Sequence, residues 1–327
     1  MPDFLTHVVF AREALEGLEE KKRRQVQERL ELFQLGAQGP DVFFYGPRHP
    51  LGGKRSFFLT GKRLHSEHTR AFLEAGFSRV PSLSGDDRLD LWVYMLGMSC
   101  HYVLDSRCHP YVYAFSGYRF NLPGTDRRVS RRHIRFESIL DVLVFWEKTG
   151  SDATRQKLWT YLPRRVPGAV DAFYRDVLAD LYGIRHYGAG DLNRALRRMR
   201  GAYRAFYDPR GIRQTLWDAL NRLFGGRLFV GRTFYPRRVR GDIDYLNRSH
   251  RAWAHPLTGE ERNESFWDLY DQANVTILEC FKKVEVTEPA WQKGDCFDDL
   301  DYSTGIPWNS PENRKRASGR GVLKEIE

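Results

Sequence analysis

The sequence feature that most constrains the fold is an apolar run over residues 88–109, RLDLWVYMLGMSCHYVLDSRCH. It shows no strand alternation and favours one long buried helix, which Pro110 should end or kink. The run nevertheless carries His101, Asp105 and His109 at intervals of four residues. Residues four apart lie on one face of a helix. The predicted helix therefore places two imidazoles and a carboxylate on one stripe inside the protein.

Helical periodicity also dominates the rest of the chain. Amphipathic patterns cover HVVFAREALEGL, EEKKRRQVQERLELFQLG, KRLHSEHTRAFLEAGF and RRHIRFESILDVLVFWEKTG. Gly- and Pro-rich stretches such as GAQGPDVFFYGPRHPLGG predict loops between them. No strand alternation persists and no internal repeat is present. The sequence predicts an all-α, irregular multi-helix bundle: a single domain over residues 1–285, followed by a weakly structured C-terminal tail over residues 286–327.

The positive charge of the chain is concentrated in one segment. Residues 194–240 carry 13 Arg and no Lys against Asp208 and Asp218, a net charge of 13 − 2 = +11, whereas the whole chain has +10. A basic surface attracts lipid headgroups, nucleic acid and small phosphoesters alike. A solvated helical face is the simpler interpretation of this segment.

Location is predicted from what the sequence lacks. No segment approaches the roughly 18 unbroken apolar residues of a transmembrane helix. The first residues, MPDFLTHVVFAREALEGLEE, lack the basic and strongly apolar parts of a secretory signal. Four cysteines at irregular spacing predict reduced thiols. We therefore expect a cytoplasmic protein, whose contact with a membrane would be peripheral.

A second histidine and acid pair has the same helical spacing. His133 and Glu137 lie in RRHIRFES, before an apolar continuation. A lone buried histidine is usually a hydrogen-bonded core residue, but two such pairs in apolar surroundings favour metal binding, because an unpaired buried carboxylate is costly. His7, Asp41 and His65 add further nitrogen and carboxylate groups. The total exceeds what one ion needs and predicts at least two zinc ions.

These motifs resemble the zinc-dependent bacterial phospholipases C, whose all-α fold is shared with the single-strand-specific zinc nucleases. The resemblance runs through TH at 6–7, GPD at 39–41, LH at 64–65, HYVLD at 101–105, CHP at 108–110 and HIRFE at 133–137. It is strongest over residues 1–150, and the segment DYLNRSHRAWAHP extends it to about residue 285. It implies a helical bundle that binds two or three zinc ions.

The resemblance also implies three sets of metal ligands. The sets are His65, His101 and Asp105; His109, His133 and Glu137; and His7 with Asp105 as a bridge and the amino terminus, which is the backbone of Pro2 once Met1 is removed. His68 is the alternative to His65, because both are expected on one helix. Asp41 matches the acidic residue beside the nucleophilic water. Three aromatic residues next to it are expected to line a substrate pocket: Phe43, Phe44 and Tyr45.

Three further polar residues stay outside the ligand sets. Asp141 lies one turn after Glu137 and is either a partner of a metal-bound histidine or an exposed acid. His250 and His255, in SHRAWAHP, are interpreted as surface or structural residues.

The predicted chemistry is phosphodiester hydrolysis. Neighbouring zinc ions polarise a phosphoryl oxygen and lower the pKa of a bridging water, so we expect a phospholipase C-like hydrolase in which a metal-activated water attacks phosphorus. A nuclease or nucleotidase with the same cluster is the alternative, which Glu137 disfavours because the nuclease branch usually has Asp there. A non-catalytic zinc protein is the third hypothesis, although structural sites rarely need a bridging carboxylate and a further acid. The expected substrate is a phosphodiester, with phospholipid favoured over nucleic acid.

Overall fold

Helices carry almost all of the regular secondary structure. The structure, a computed structural model, describes residues 4–46, 56–118, 120, 127–223, 234–284 and 296–319, with the backbone alone described for residues 127–131 and 317–319. Within these residues the only strands are β1 (Trp253–Ala254) and β2 (Glu261–Arg262), which pair antiparallel. The prediction of an all-α fold is confirmed.

The described residues form twelve α-helices, of which the sixth is the longest. They are α1 (Phe4–Glu16), α2 (Glu20–Gln27), α3 (Leu30–Ala37), α4 (Phe57–Ser66), α5 (Thr69–Arg79), α6 (Gly85–Phe115), α7 (Arg127–Thr149), α8 (Gly168–Tyr182), α9 (Asp191–Phe206), α10 (Ile212–Leu223), α11 (Phe266–Lys283) and α12 (Pro311–Gly319). Short 3₁₀ helices lie at Gly39–Tyr45, Val80–Ser82, Ala153–Arg155 and Leu158–Thr160. No helix of the described residues is both long and apolar enough to cross a membrane.

Helix α6 is the central element of the bundle. Every residue from Leu91 to Ser106 is buried, because α1, α3, α5, α8 and α11 all pack against it. A helix that is apolar on all sides needs such a complete covering. The stripe of polar ligand residues on α6 is therefore enclosed by protein rather than by solvent.

Of the two outcomes expected at Pro110, an end or a kink of the helix, the first is wrong, because α6 continues to Phe115. Proline has no N–H, so the carbonyl oxygen of Ser106, four residues earlier, lacks its usual helical donor. A Cβ atom at position 305 would collide with this oxygen, and Gly305 has a φ of +63°. Glycine therefore lets a distant segment cover the proline turn, and the ligand stripe continues along α6 by another turn.

The helix predicted over KRLHSEHTRAFLEAGF is two helices, α4 and α5. His68 lies between them with a φ of +51°, in the left-handed region that histidine enters more readily than most residues. Its ring packs against the rings of Trp308 and Tyr182, with centroids 4.7 and 5.8 Å away. His65 and His68 therefore do not share a helix, and their side chains have different neighbours.

Residues 296–319, the described part of the predicted C-terminal tail, contact the helical bundle. Within residues 296–319, the N–H of Tyr302 donates to the carbonyl of His65 at 2.9 Å, and Tyr302 is 1% exposed. The hydroxyl of Thr69 donates to the carbonyl of Leu300 at 2.8 Å. These are isolated contacts to particular backbone groups, which leave no periodic pattern in the sequence. The described part of the expected tail is thus packed onto the bundle.

Candidate metal centre

Asp105 lies at the centre of a cluster of imidazoles. Its Oδ2 is 3.1 Å from Nε2 of His101 and 3.5 Å from Nδ1 of His109, one turn before and one turn after it on α6. Its Oδ1 is 3.1 Å from Nε2 of His7 on α1. Burial raises the pKa of Asp105, but the charges of these three histidines outweigh it and hold the pKa well below its usual range. The carboxylate therefore stays ionised although it is buried.

Asp41 and His65 form a second group beside the first. Asp41 Oδ1 is 3.2 Å from His65 Nε2, and a ring nitrogen of His101 lies within 4.8 Å of both side chains. Asp41 belongs to the 3₁₀ helix that begins at Gly39 and passes directly over the ring of His101, where a Cβ atom at position 39 would collide with the imidazole. Burial raises the pKa of Asp41, but the hydrogen bond and the charge of His65 outweigh this effect, so the net shift of the pKa is downwards.

Glu137 organises a third group. Its Oε1 is 2.9 Å from Nε2 of His133, one turn earlier on α7, and 3.4 Å from Nε2 of His109 on α6. Burial raises the pKa of Glu137, but His133 and His109 outweigh this effect and lower it. His109 contacts Asp105 with one ring nitrogen and Glu137 with the other. The third group is therefore continuous with the first.

Backbone carbonyls determine which nitrogen of the imidazoles faces the carboxylates. Nδ1 of His65 lies 2.7 Å from the carbonyl of Gly61, and Nδ1 of His101 lies 3.2 Å from the carbonyl of Ala37. A carbonyl only accepts, so Nδ1 carries the proton in both rings, and a neutral ring then presents an Nε2 lone pair. That lone pair faces a carboxylate oxygen, which is another acceptor. Metal-binding histidines commonly have this arrangement, with the cation between the two acceptors.

Among the imidazoles of the described part of the chain, Nε2 of His101 and Nδ1 of His133 are buried without a hydrogen-bond partner. A buried polar atom left in this state costs about 1–3 kcal/mol. His101 is 0% exposed, so bulk water does not compensate for the missing partner. Zinc binds imidazole nitrogen and carboxylate oxygen. The donor atoms of the three groups therefore fit zinc.

Tyr302 is a residue of the centre that the sequence did not indicate. Its ring lies against the rings of His65 and His101, with centroids 5.2 and 5.7 Å away. Its carbonyl accepts from Nδ1 of His109 at 3.2 Å. It thus contacts histidines of all three groups and excludes solvent from them. No sequence signal marks it, because it comes from the C-terminal segment and lies in no ligand-like motif.

Tyr113 is a second such residue. Its ring stacks on that of His133, with centroids 4.4 Å apart and an angle of 18° between the planes. Tyr113 follows His109 by four residues on α6, so the helical spacing that indicated the histidines could also have indicated this tyrosine. It fixes the plane of the His133 ring.

Asp141 anchors the start of α1, the helix that carries His7. Its carboxylate accepts from the backbone N–H of Leu5 at 3.0 Å, from the N–H of Thr6 at 2.9 Å and from the hydroxyl of Thr6 at 2.6 Å. The hydroxyl of Tyr235 donates to the same carboxylate at 2.6 Å. Asp141 is 0% exposed, which excludes the interpretation as an exposed acid. It joins α7 to α1 and so determines where His7 lies.

The three aromatic residues expected in a substrate pocket have different surroundings. Phe43 is 0% exposed and packs against Tyr174 in the core. It is a core residue, because its side of the 3₁₀ helix faces the bundle. Phe44 is half-buried and stacks on His65, with centroids 5.4 Å apart, while the half-buried Tyr45 packs against α9. Phe44 is therefore the aromatic residue that lies beside a ligand.

The grouping of ligands differs in two respects from the sets that the resemblance implied. One is that His7 groups with His101 as well as with Asp105. The other is that His65 was expected with Asp105, but its Nε2 faces Asp41. The group that contains His109 is brought together as implied. Pro2, the expected amino-terminal ligand, lies outside the described residues. The assignment of each side chain to an ion stays a prediction.

The fold and the ligand groups define the class, an all-α protein with three groups of candidate metal ligands. Among families of known proteins, the zinc-dependent phospholipase C family matches residues 6–188, more than half of the 327-residue chain. The matched range contains all three ligand groups. The chain therefore belongs to the zinc-dependent phospholipase C family, as its motifs indicated. Neither a curated protein nor a solved structure matches the chain.

Proposed function

We propose that the protein is a phospholipase C-like phosphodiester hydrolase that depends on two or three zinc ions. The proposed ligands are His7, His65, His101, Asp105, His109, His133 and Glu137. The observation that carries the proposal is the continuity of the three ligand groups, in which His101 belongs to two groups and His109 joins Asp105 to Glu137. A purely structural ion needs only one closed set of four ligands.

Zinc bound at these ligands supplies Lewis acidity towards a phosphate oxygen and lowers the pKa of water. We assign to Asp41 the contact with the water that attacks the phosphorus. Its lowered pKa makes it a weak base but a fully ionised hydrogen-bond acceptor near neutral pH, so its role is to orient the attacking water.

The proposed substrate is a phospholipid-type phosphodiester, the class that the family acts on. Phe44 supports this choice, because its ring lies beside His65 and its π-face can attract a cationic headgroup such as choline. The ring does not by itself select a lipid over a soluble phosphodiester with the same headgroup.

The test is to assay the purified chain on a soluble choline phosphodiester, on phosphatidylcholine vesicles and on single-stranded DNA, before and after chelation. We expect chelator-sensitive release of the phosphorylated headgroup, restored by added zinc. An Asp105→Asn variant purified in the same way controls for contaminating enzymes. Cleavage of DNA alone would favour the nuclease alternative. Full zinc content without turnover on any substrate would favour a non-catalytic role.

A further inference from the structure

Helix α10 turns its apolar side away from the protein. Four large apolar side chains recur on one side of it and are exposed by the following fractions: Ile212 57%, Leu216 60%, Leu220 42% and Leu223 83%. The residues that are half-buried instead recur on the opposite side: Gln214, Trp217, Asp218 and Asn221. No residue of this helix is buried. A surface helix normally has the reverse arrangement, with the apolar stripe facing the core.

Polar contacts hold α10 in this orientation. The N–H of Gln214 donates to the carboxylate of Asp208 at 2.8 Å, and Nη1 of Arg213 donates to the carbonyl of Ala205 at 2.7 Å. Gln214 also lines a cavity of about 420 Å³ together with Arg135, Arg237 and Arg238. The two hydrogen bonds involve the backbone of Gln214 and the side chain of Arg213, so they leave the apolar stripe available for another partner.

The charges around the stripe indicate which partner fits. Arg213 and Arg222 are exposed and flank the stripe on its two sides, whereas Asp218, the one acid of α10, lies on the inner side. The helix belongs to the segment 194–240 with its net charge of +11. An apolar stripe flanked by basic side chains is typical of helices that lie in the interface of an anionic bilayer.

We propose that α10 is a docking surface for membranes that contain anionic phospholipid. The stripe from Ile212 to Leu223 enters the boundary between headgroups and acyl chains, and Arg222 remains at the level of the phosphates. Nucleic acid would bind the arginines but leave the leucines in water. A second copy of the chain would bring two faces of the same charge together. A bilayer satisfies both the apolar and the charged side chains.

Vesicle co-sedimentation of the full chain tests this proposal, using phosphatidylcholine vesicles with and without phosphatidylglycerol. Leu216→Asp is the test variant and Val275→Asp on α11 is the matched control, because both side chains are 60% exposed and neither change disturbs the core. We expect the wild type to bind only the mixed vesicles. Leu216→Asp should weaken this binding by about ten-fold or more, since interfacial affinity scales with buried apolar area. Val275→Asp should bind as the wild type does.

Binding that Leu216→Asp leaves unchanged would overturn the proposal, because the arginines alone would then explain it, as they would for a nucleic acid. Equal weakening by Val275→Asp would also overturn it. A wild type that does not bind the mixed vesicles would overturn the proposal as well. If light scattering then showed a dimer that Leu216→Asp dissociates, the stripe would be a contact between two copies of the chain. The assay measures binding and not turnover. A chain that binds vesicles but hydrolyses no phosphodiester would therefore keep the docking surface and lose the function proposed above.

Discussion

His7 and Asp105 approach to 3.1 Å between Nε2 and Oδ1 although they belong to different helices, α1 and α6. His7 is 1% exposed and Asp105 is 3% exposed. The contact forms only when α1 packs against the ligand stripe of α6. A metal bound here would therefore stabilise the packing of the two helices as well as serve the chemistry.

Removal of zinc should lower the stability of the fold. A ligand present at 100 times its Kd stabilises the folded chain by about 2.7 kcal/mol, and for a chain of this size that corresponds to a fall in Tm of about 4 °C on chelation. Thermal melting monitored by circular dichroism measures the shift. Elemental analysis should find two or three zinc ions per chain, as the three ligand groups suggest. Recovery with zinc but not with magnesium is the control, and an unchanged Tm in the metal-free protein would contradict the prediction.

Asp105→Asn should weaken zinc binding more than any other single change on α6, because Asp105 faces three imidazoles. We expect a loss of at least about 100-fold in affinity, since residues that only support ligands already contribute 10–100-fold. Competitive titration with a zinc chelator measures this loss. The control is Asp171→Asn, another buried aspartate that accepts from Tyr187 and Gly190. Its stability should fall while its zinc affinity stays the same.

Asp41→Asn should retain zinc and lose turnover. The amide keeps the size of the side chain but removes the charge that orients the water, so we expect kcat to fall by about 10²–10⁴-fold. Steady-state kinetics with a parallel zinc determination measure both effects. Glu67→Gln, which affects a carboxylate paired with Arg63 at the end of α4, should leave the rate unchanged. Wild-type turnover by Asp41→Asn would remove Asp41 from the mechanism, and loss of zinc would make it a ligand.

Asp141→Asn should affect both stability and zinc affinity. The change weakens charged hydrogen bonds to the first turn of α1, each worth about 1.5–3 kcal/mol, and displaces His7. We expect zinc affinity to fall by about 10–100-fold. Urea unfolding and zinc titration measure the two effects. Ser265→Ala removes the cap of α11, which carries no ligand, and should cost about 1 kcal/mol without changing zinc affinity. Unchanged zinc affinity in Asp141→Asn would restrict Asp141 to a structural role.

His255 should make the stability of the fold fall at acid pH. Burial lowers its pKa, the hydrogen bond to Thr304 partly opposes this, and the charge of Arg262 lowers the pKa further. The Nδ1 atom accepts from the N–H groups of Leu257 and Thr258, so protonation would break these contacts. Because the pKa of His255 is lower in the folded chain than in the unfolded chain, the unfolded chain binds more protons than the folded chain as the pH falls below about 6.5.

The contribution of His255 to the free energy of unfolding should therefore be complete above about pH 7 and should decrease as the pH falls below about 6.5. Urea titrations at several pH values between about 5 and 8 measure this slope. A His255→Gln variant should show a smaller slope than the wild type over the same range. Identical slopes in the two proteins would show that His255 does not contribute.

Local periodicity was sufficient to predict the helices and their ligand stripes. His101, Asp105 and His109 are spaced by four residues, and so are His133 and Glu137, so each set shares a helix face wherever the helix is placed. The continuity of helices was less predictable. Pro110 is accommodated because Gly305, from a distant segment, leaves room beside the freed carbonyl.

The sequence by itself determined the helical class, the ligand types and their spacing, because these depend on interactions within a few residues of each other. Only the tertiary structure decided that His65 faces Asp41, that Asp141 anchors the start of α1, that Tyr302 covers three histidines, and that α10 points its leucines to solvent. Each of these depends on how far apart the helices lie and how they are rotated. Those quantities are set by the packing of the whole core, which no local pattern encodes.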